Sequence, residues 1–135
     1  ADLDVAAEGA LGHYTHEKSS VGCAAGLATL EVIEDERLLQ RSTDLGARAL
    51  GQLKAMQARQ EAVADVRGIG LLLGVELQDA AVAEDVLYRC LAKGLSFKIG
   101  QDNVINLSPP LVIDEADLDR ALVIVEESIA EAVQC

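Results

Sequence analysis

The chain has 135 residues, half of them hydrophobic and a quarter charged, which is enough apolar mass for one compact domain with a core and too much for intrinsic disorder. Acidic residues outnumber basic ones 23 to 11, and the formal net charge of −12 excludes a basic face for nucleic acid or anionic membrane. Tyr14, Tyr88 and Phe97 are the aromatic residues, too few for the stacking platforms of single-strand binders.

Cys23, Cys90 and Cys135 form an odd set without C-x-x-C spacing. That argues against a disulfide scaffold or a zinc knuckle and for a reducing cytoplasm. No apolar run approaches a membrane span, and Ala1-Asp2-Leu3-Asp4 lacks the positive start of a signal peptide. A first residue other than Met is expected of a processed start or of a piece of a longer polypeptide.

In chain order, residues 3–11 suit a short helix, and Gly12 to Ser20 reads as a polar loop. From Val21, the spacing of Ala24, Leu27, Ala28, Leu30 and Ile33 predicts a helix with Ser19 or Ser20 as N-cap. Its small residues Gly22, Ala24, Ala25, Gly26 and Ala28 call for a closely packed neighbour. After a break near Asp35–Glu36, Leu38, Leu45, Leu50, Leu53 and Met56 mark a second long helix. Residues 63–70 and 71–77 read as two strands, with a bulge or turn at Gly68–Gly70.

Residues 80–93 return to helical spacing and stop at Gly94. Phe97–Ile99 and Val104–Leu107 are expected as short strands around the turn Gly100-Gln101-Asp102-Asn103. Asp114 then caps a last helix, stapled by Ile113 and Leu118, with Leu118, Leu122, Val125, Ile129 and Val133 as its buried stripe. Helices, strands, a helix, strands and a helix together predict an α+β fold, a small and mainly antiparallel sheet covered by helices.

The chemical motifs are sparse. His13 and His16 are three residues apart in a loop rather than four apart on a helix, and with Glu17 they lack a further histidine to complete a metal site. Gly68-Ile69-Gly70 with Gly74 lacks the third glycine and the helix of a dinucleotide fingerprint, so the glycines read as turn residues. Cys23 and Cys90 lie on apolar helix faces, where an inert core thiol is the default. Lys18 and Lys98 read as solvated lysines near loops that could face a cofactor. Composition and periodicity alone stop at a soluble acidic α+β domain.

Three segments together resemble the C-terminal part of the class III, fold type I, pyridoxal-phosphate-dependent aminotransferases. They are Thr15 with its polar loop and the small-residue helix Val21 to Ile33, the strand pair Asp65 to Leu77, and Val104-Ile105-Asn106-Leu107-Ser108-Pro109-Pro110-Leu111-Val112-Ile113. The resemblance spans nearly the whole chain and about the last third of a family member. It implies that residues 1–36 are the tail of the large cofactor-binding domain and residues 37–135 the small C-terminal domain. It also implies pyridoxal 5'-phosphate as cofactor, an amino donor and a keto-acid acceptor as substrates, and a homodimer or higher homo-oligomer.

The family's Schiff-base lysine and the acidic partner of the pyridine nitrogen lie upstream of the threonine loop, so neither Lys18 nor Lys98 matches the lysine. The resemblance therefore implies that this chain has no catalytic residue of its own and is inactive alone. Thr15 matches the threonine that reaches the cofactor phosphate of the neighbouring subunit. Two positions depart from the family pattern. His16-Glu17-Lys18-Ser19-Ser20 replaces the usual turn, and Asn106 stands where many members acting on α-amino acids have an arginine for the substrate carboxylate. Asn106 is thus the expected substrate-binding position, facing an ω-amino, amine or phosphonate-type donor.

Three readings follow: an aminotransferase fragment, an ammonia-lyase or decarboxylase on the same fold, or a non-catalytic acidic interaction domain. The small-residue helix further predicts that the isolated piece self-associates.

Overall fold

The computed structural model describes residues 19–133; the short helix expected at 3–11, the loop up to Lys18, and Thr15 and Cys135 lie outside them. The chain divides into two units, Ala1–Arg37 and Leu38–Cys135.

The described part of the first unit is helix α1 (Ser20–Asp35). Ser19 is its N-cap, and its hydroxyl accepts from the Gly22 N–H at 3.4 Å. No residue of α1 is buried, and Cys23 is exposed rather than an inert core thiol. A single helix cannot bury its own apolar stripe; that takes a second layer.

The second unit begins with α2 (Leu38–Gln57), followed by the hairpin β1 (Val63–Ile69) and β2 (Leu72–Leu77). Helix α3 (Ala80–Ala92) then leads to β3 (Lys98–Gly100) and β4 (Val104–Leu107), and α4 (Glu115–Val133) closes the unit. The sheet order is β1-β2-β4-β3, antiparallel throughout. The expected α+β architecture is therefore present.

Local chemistry explains the boundaries. Asp79 caps α3, its carboxylate accepting from the Ala81 N–H at 2.6 Å. Gly94, at φ +87°, follows the C-cap Lys93. The β1–β2 turn has two residues, Gly70 and Leu71, with Gly70 at φ +53°. Two expectations shift. The turn between β3 and β4 occupies Gln101 to Asn103, so β3 runs one residue later than anticipated. At the start of α4 it is the Asp114 carbonyl, not its carboxylate, that accepts from Leu118, at 3.0 Å.

The core lies on one side of the sheet. Leu45, Ala49, Leu53 and Met56 of α2, Ala83, Val86 and Cys90 of α3, and Leu118, Leu122, Val125 and Ile129 of α4 enclose Val66, Leu73, Val75, Leu77 and Ile105. Each large side chain so buried contributes roughly 1.5–3 kcal/mol. Arg48 bridges α2 to Glu115 and Asp119 of α4 at 2.6 and 3.1 Å, and Lys93 ties α3 to Glu131 at 2.8 Å. These half-exposed pairs add little energy each but fix the register of α4.

That register overturns one expectation, because Val133 is exposed rather than the end of the buried stripe. Arg59, already past the end of α2, is level with Glu126, and Lys93, at the end of α3, is level with Glu127 and Glu131. The stripe ends instead on Ala132, three residues after Ile129 and packed against the core, which turns Val133 away from it.

Candidate functional site

The other side of the sheet is open. Side chains alternate across a strand, so the residues between the core positions all project there. Cross-strand pairing sets four of them in one row: Arg67 opposite Gly74, Gly74 opposite Asn106, and Asn106 opposite Lys98. Ile69 and Leu72, both largely exposed, form an apolar rim at one end.

Arg67 is paired twice, through one nitrogen. Its Nη1 donates to Asp65 Oδ2 at 2.8 Å and to Glu76 Oε2 at 2.6 Å. The hydrogen-bonded guanidinium holds the Asp65 carboxyl below the usual carboxylate range, and the two carboxylates raise the Arg67 value in turn. The two carboxylates offset the charge of this cation, while its Nη2 and Nε groups make no hydrogen bond among the described residues.

Asn106 and Lys98 differ from it. Asn106 is half-buried, and its carboxamide makes no hydrogen bond among the described residues. Asn103, three residues earlier, is the contrast, since its Nδ2 donates to the Leu77 carbonyl at 2.7 Å and holds the turn against β2. The Asn106 amide leans over Gly100, where an added Cβ would lie 2.6 Å from Nδ2. Lys98 is exposed and has no ion-pair partner among the described residues.

Two concavities meet at Asn106. One, of about 530 Å³, lies over the open face between Arg67, Leu72, Gly74, Gly100 and Val104. The other, of about 470 Å³, runs from Lys98 and Asn106 along Phe97, Ser108 and Pro109 toward α4. Neither is lined by an acidic residue. The wall can thus donate hydrogen bonds and present positive charge, and it holds no general acid or base in the ordinary carboxylate range.

Of the site residues read from the sequence, Asn106 is on this wall and Thr15 lies outside the described residues. Cys90 is buried between α3 and α4, where burial pushes its thiol up and the Ser128 hydroxyl partly opposes this, so it is no nucleophile. Among the described residues no cluster of metal-ligating side chains occurs, and no helix is long and apolar enough to cross a membrane. Sequence reasoning missed the Arg67–Asp65–Glu76 cluster and the pairing of Lys98 with Asn106. Counting outward from a three-residue turn at 101–103 would have found the second.

The sequence matches the model of the family described as aminotransferase class-III over residues 6–129. The chain belongs to the class III aminotransferase family. It is 50% identical over 136 aligned residues to the (R)-1-hydroxy-2-aminoethylphosphonate ammonia-lyase of Vibrio splendidus, covering 95% of this chain and 28% of that protein. It is 37% identical to the 5-aminovalerate aminotransferase of Pseudomonas putida, covering 96% of this chain and 32% of that protein. Among solved structures, an aminotransferase from Bacillus anthracis superposes with a TM-score of 0.82 at 30% identity, over 92% of this chain and 31% of that one. The chain thus spans about a third or less of the length of these class III relatives.

Proposed function

We propose that the chain is the C-terminal part of a pyridoxal-phosphate-dependent enzyme that removes the amino group from a donor lacking an α-carboxylate: an ω-amino, amine or phosphonate-type compound. The carrying observation is Asn106, whose unengaged carboxamide stands on the open face of the sheet. An arginine at that position forks onto a planar carboxylate; an amide carries no charge and cannot replace it.

Two fates of the amino group are open to such an enzyme, transfer to a keto-acid acceptor or release as ammonia. The 50% identity to a phosphonate ammonia-lyase favours release. Transfer is the alternative, supported by the 5-aminovalerate aminotransferase among the relatives.

Pyridoxal phosphate comes to this reading from the family. The described residues would form only part of its surroundings: neither concavity beside Asn106 has an acidic residue to face a pyridine nitrogen, and in this reading the anchoring lysine belongs to the part of the relatives that this chain does not span. In this reading, Thr15 reaches the cofactor phosphate of a neighbouring subunit in a homodimer or larger homo-oligomer, residues 1–36 belong to the large domain and residues 37–135 form the small one. The division of the chain after Arg37 supports that boundary. The chain alone is then inactive.

The test uses the whole protein, loaded with pyridoxal phosphate and given (R)-1-hydroxy-2-aminoethylphosphonate without an acceptor. Ammonia release supports elimination, and amine loss that requires a keto acid supports transfer. Efficient reaction at the α-amino group of α-amino acids, with neither outcome above, overturns the proposal.

A further inference from the structure

Of the cations on the open face, Arg67 is neutralised by Asp65 and Glu76, whereas Lys98 has no ion-pair partner among the described residues. Lys98 sits directly across the strand pair from Asn106, and both line the 470 Å³ cavity, whose wall also carries Ser96 and Ser108 and no carboxylate. In a chain of net charge −12, an anion is repelled from most of the surface, so a cavity with an uncompensated ammonium and no acidic lining is where one can enter.

We propose that Lys98 and Asn106 together form the subsite for the acidic end of the donor, and that this end is a tetrahedral oxyanion, a phosphonate, rather than a carboxylate. The inference rests on the reading above that position 106 faces the donor. An ammonium is a compact charge with three rotatable donors, which suits three oxygens around phosphorus; the planar fork of an arginine suits a carboxylate. The Asn106 Nδ2 supplies a further donor, and its free carboxamide leaves that group available. Lys98 restores the charge that asparagine at 106 removes, from the neighbouring strand and with different geometry.

The test is made on the whole protein with its cofactor, in the parent form and as Lys98→Met and Lys98→Arg. Methylphosphonate binding is followed by phosphorus NMR, which needs no turnover. In parallel, KM is measured for 2-aminoethylphosphonate, 3-aminopropanoate and n-propylamine. Lys98→Met is expected to weaken methylphosphonate binding by about tenfold, the size of one charge-assisted hydrogen bond. It should lower the preference for the phosphonate donor over n-propylamine by a similar factor, and Lys98→Arg should recover part of both. Equal methylphosphonate binding by the parent and Lys98→Met overturns this inference whichever donors are used. Retained Lys98-dependent binding with reaction confined to α-amino acids overturns the proposed function instead.

Discussion

Alanine at Gly46 and alanine at Gly51 are the same substitution on the same helix, and the structure gives them opposite signs. Both glycines lie inside α2. In an exposed helix interior, replacing glycine by alanine stabilises by about 1 kcal/mol, because glycine has more backbone freedom to lose. Gly51 is exposed with nothing within 4 Å of an added Cβ, so it should show that full gain.

Gly46 is buried, and an added Cβ would land on the carbonyl of Gly70 at the tip of the β1–β2 hairpin. That tip cannot yield easily. Gly70 holds a positive φ, and the Leu71 N–H donates to the Ser42 hydroxyl at 3.2 Å, pinning the turn to the same helix. Overpacking costs about 1–3 kcal/mol and more where backbone must move, so after the helix gain a net loss of about 2 kcal/mol is expected. The two variants then differ by about 3 kcal/mol. With a urea slope of about 1.5 kcal/mol/M, their midpoints in urea unfolding followed by circular dichroism should lie about 2 M apart. Equal stabilisation by both substitutions would refute the close approach of α2 to the hairpin.

Two further outcomes follow from named contacts. Gly100→Ala meets only the movable end of Asn106, so its stability should stay within about 0.5 kcal/mol of the parent while donor KM in the whole protein changes; that change should vanish in an Asn106→Ala background. The Lys93–Glu131 pair gives a pH signature: the hydrogen bond between them lowers Glu131 from 4.5 and raises Lys93 from 10.5. The carboxylate's contribution is present above the unfolded value of 4.5 and lost as pH falls through its depressed folded value, and the lysine's is lost as pH rises through its raised one. Chemical unfolding across pH should show Glu131→Gln removing part of the acid-side decline and leaving less to lose above pH 10.5.

Local signals carried most of the element plan. Ser19 as a cap, the glycine at the tip of the first hairpin, Gly94 as a stop and the apolar stripe of α4 each act within a few residues, so they are legible without a fold. The family motifs around Thr15 and Asn106 are likewise linear patterns.

What the chain of letters could not carry is which strands become neighbours and in what register. The second hairpin shows how little separates the outcomes. A four-residue turn over Gly100 to Asn103 would set Phe97 opposite Asn106 and turn Lys98 toward the core; the three-residue turn from Gln101 sets Lys98 there instead. A slip of one residue flips every side chain of a strand to the other face, so tertiary pairing, not local preference, decides what surrounds Asn106. The same holds for Arg67, which gains a second carboxylate beyond its neighbour Asp65 because β2 brings Glu76 alongside, and for Val133, turned outward because the stripe ends on Ala132. Composition and short-range chemistry determined the elements and their family; packing between distant segments decided which polar groups remain free to meet a ligand.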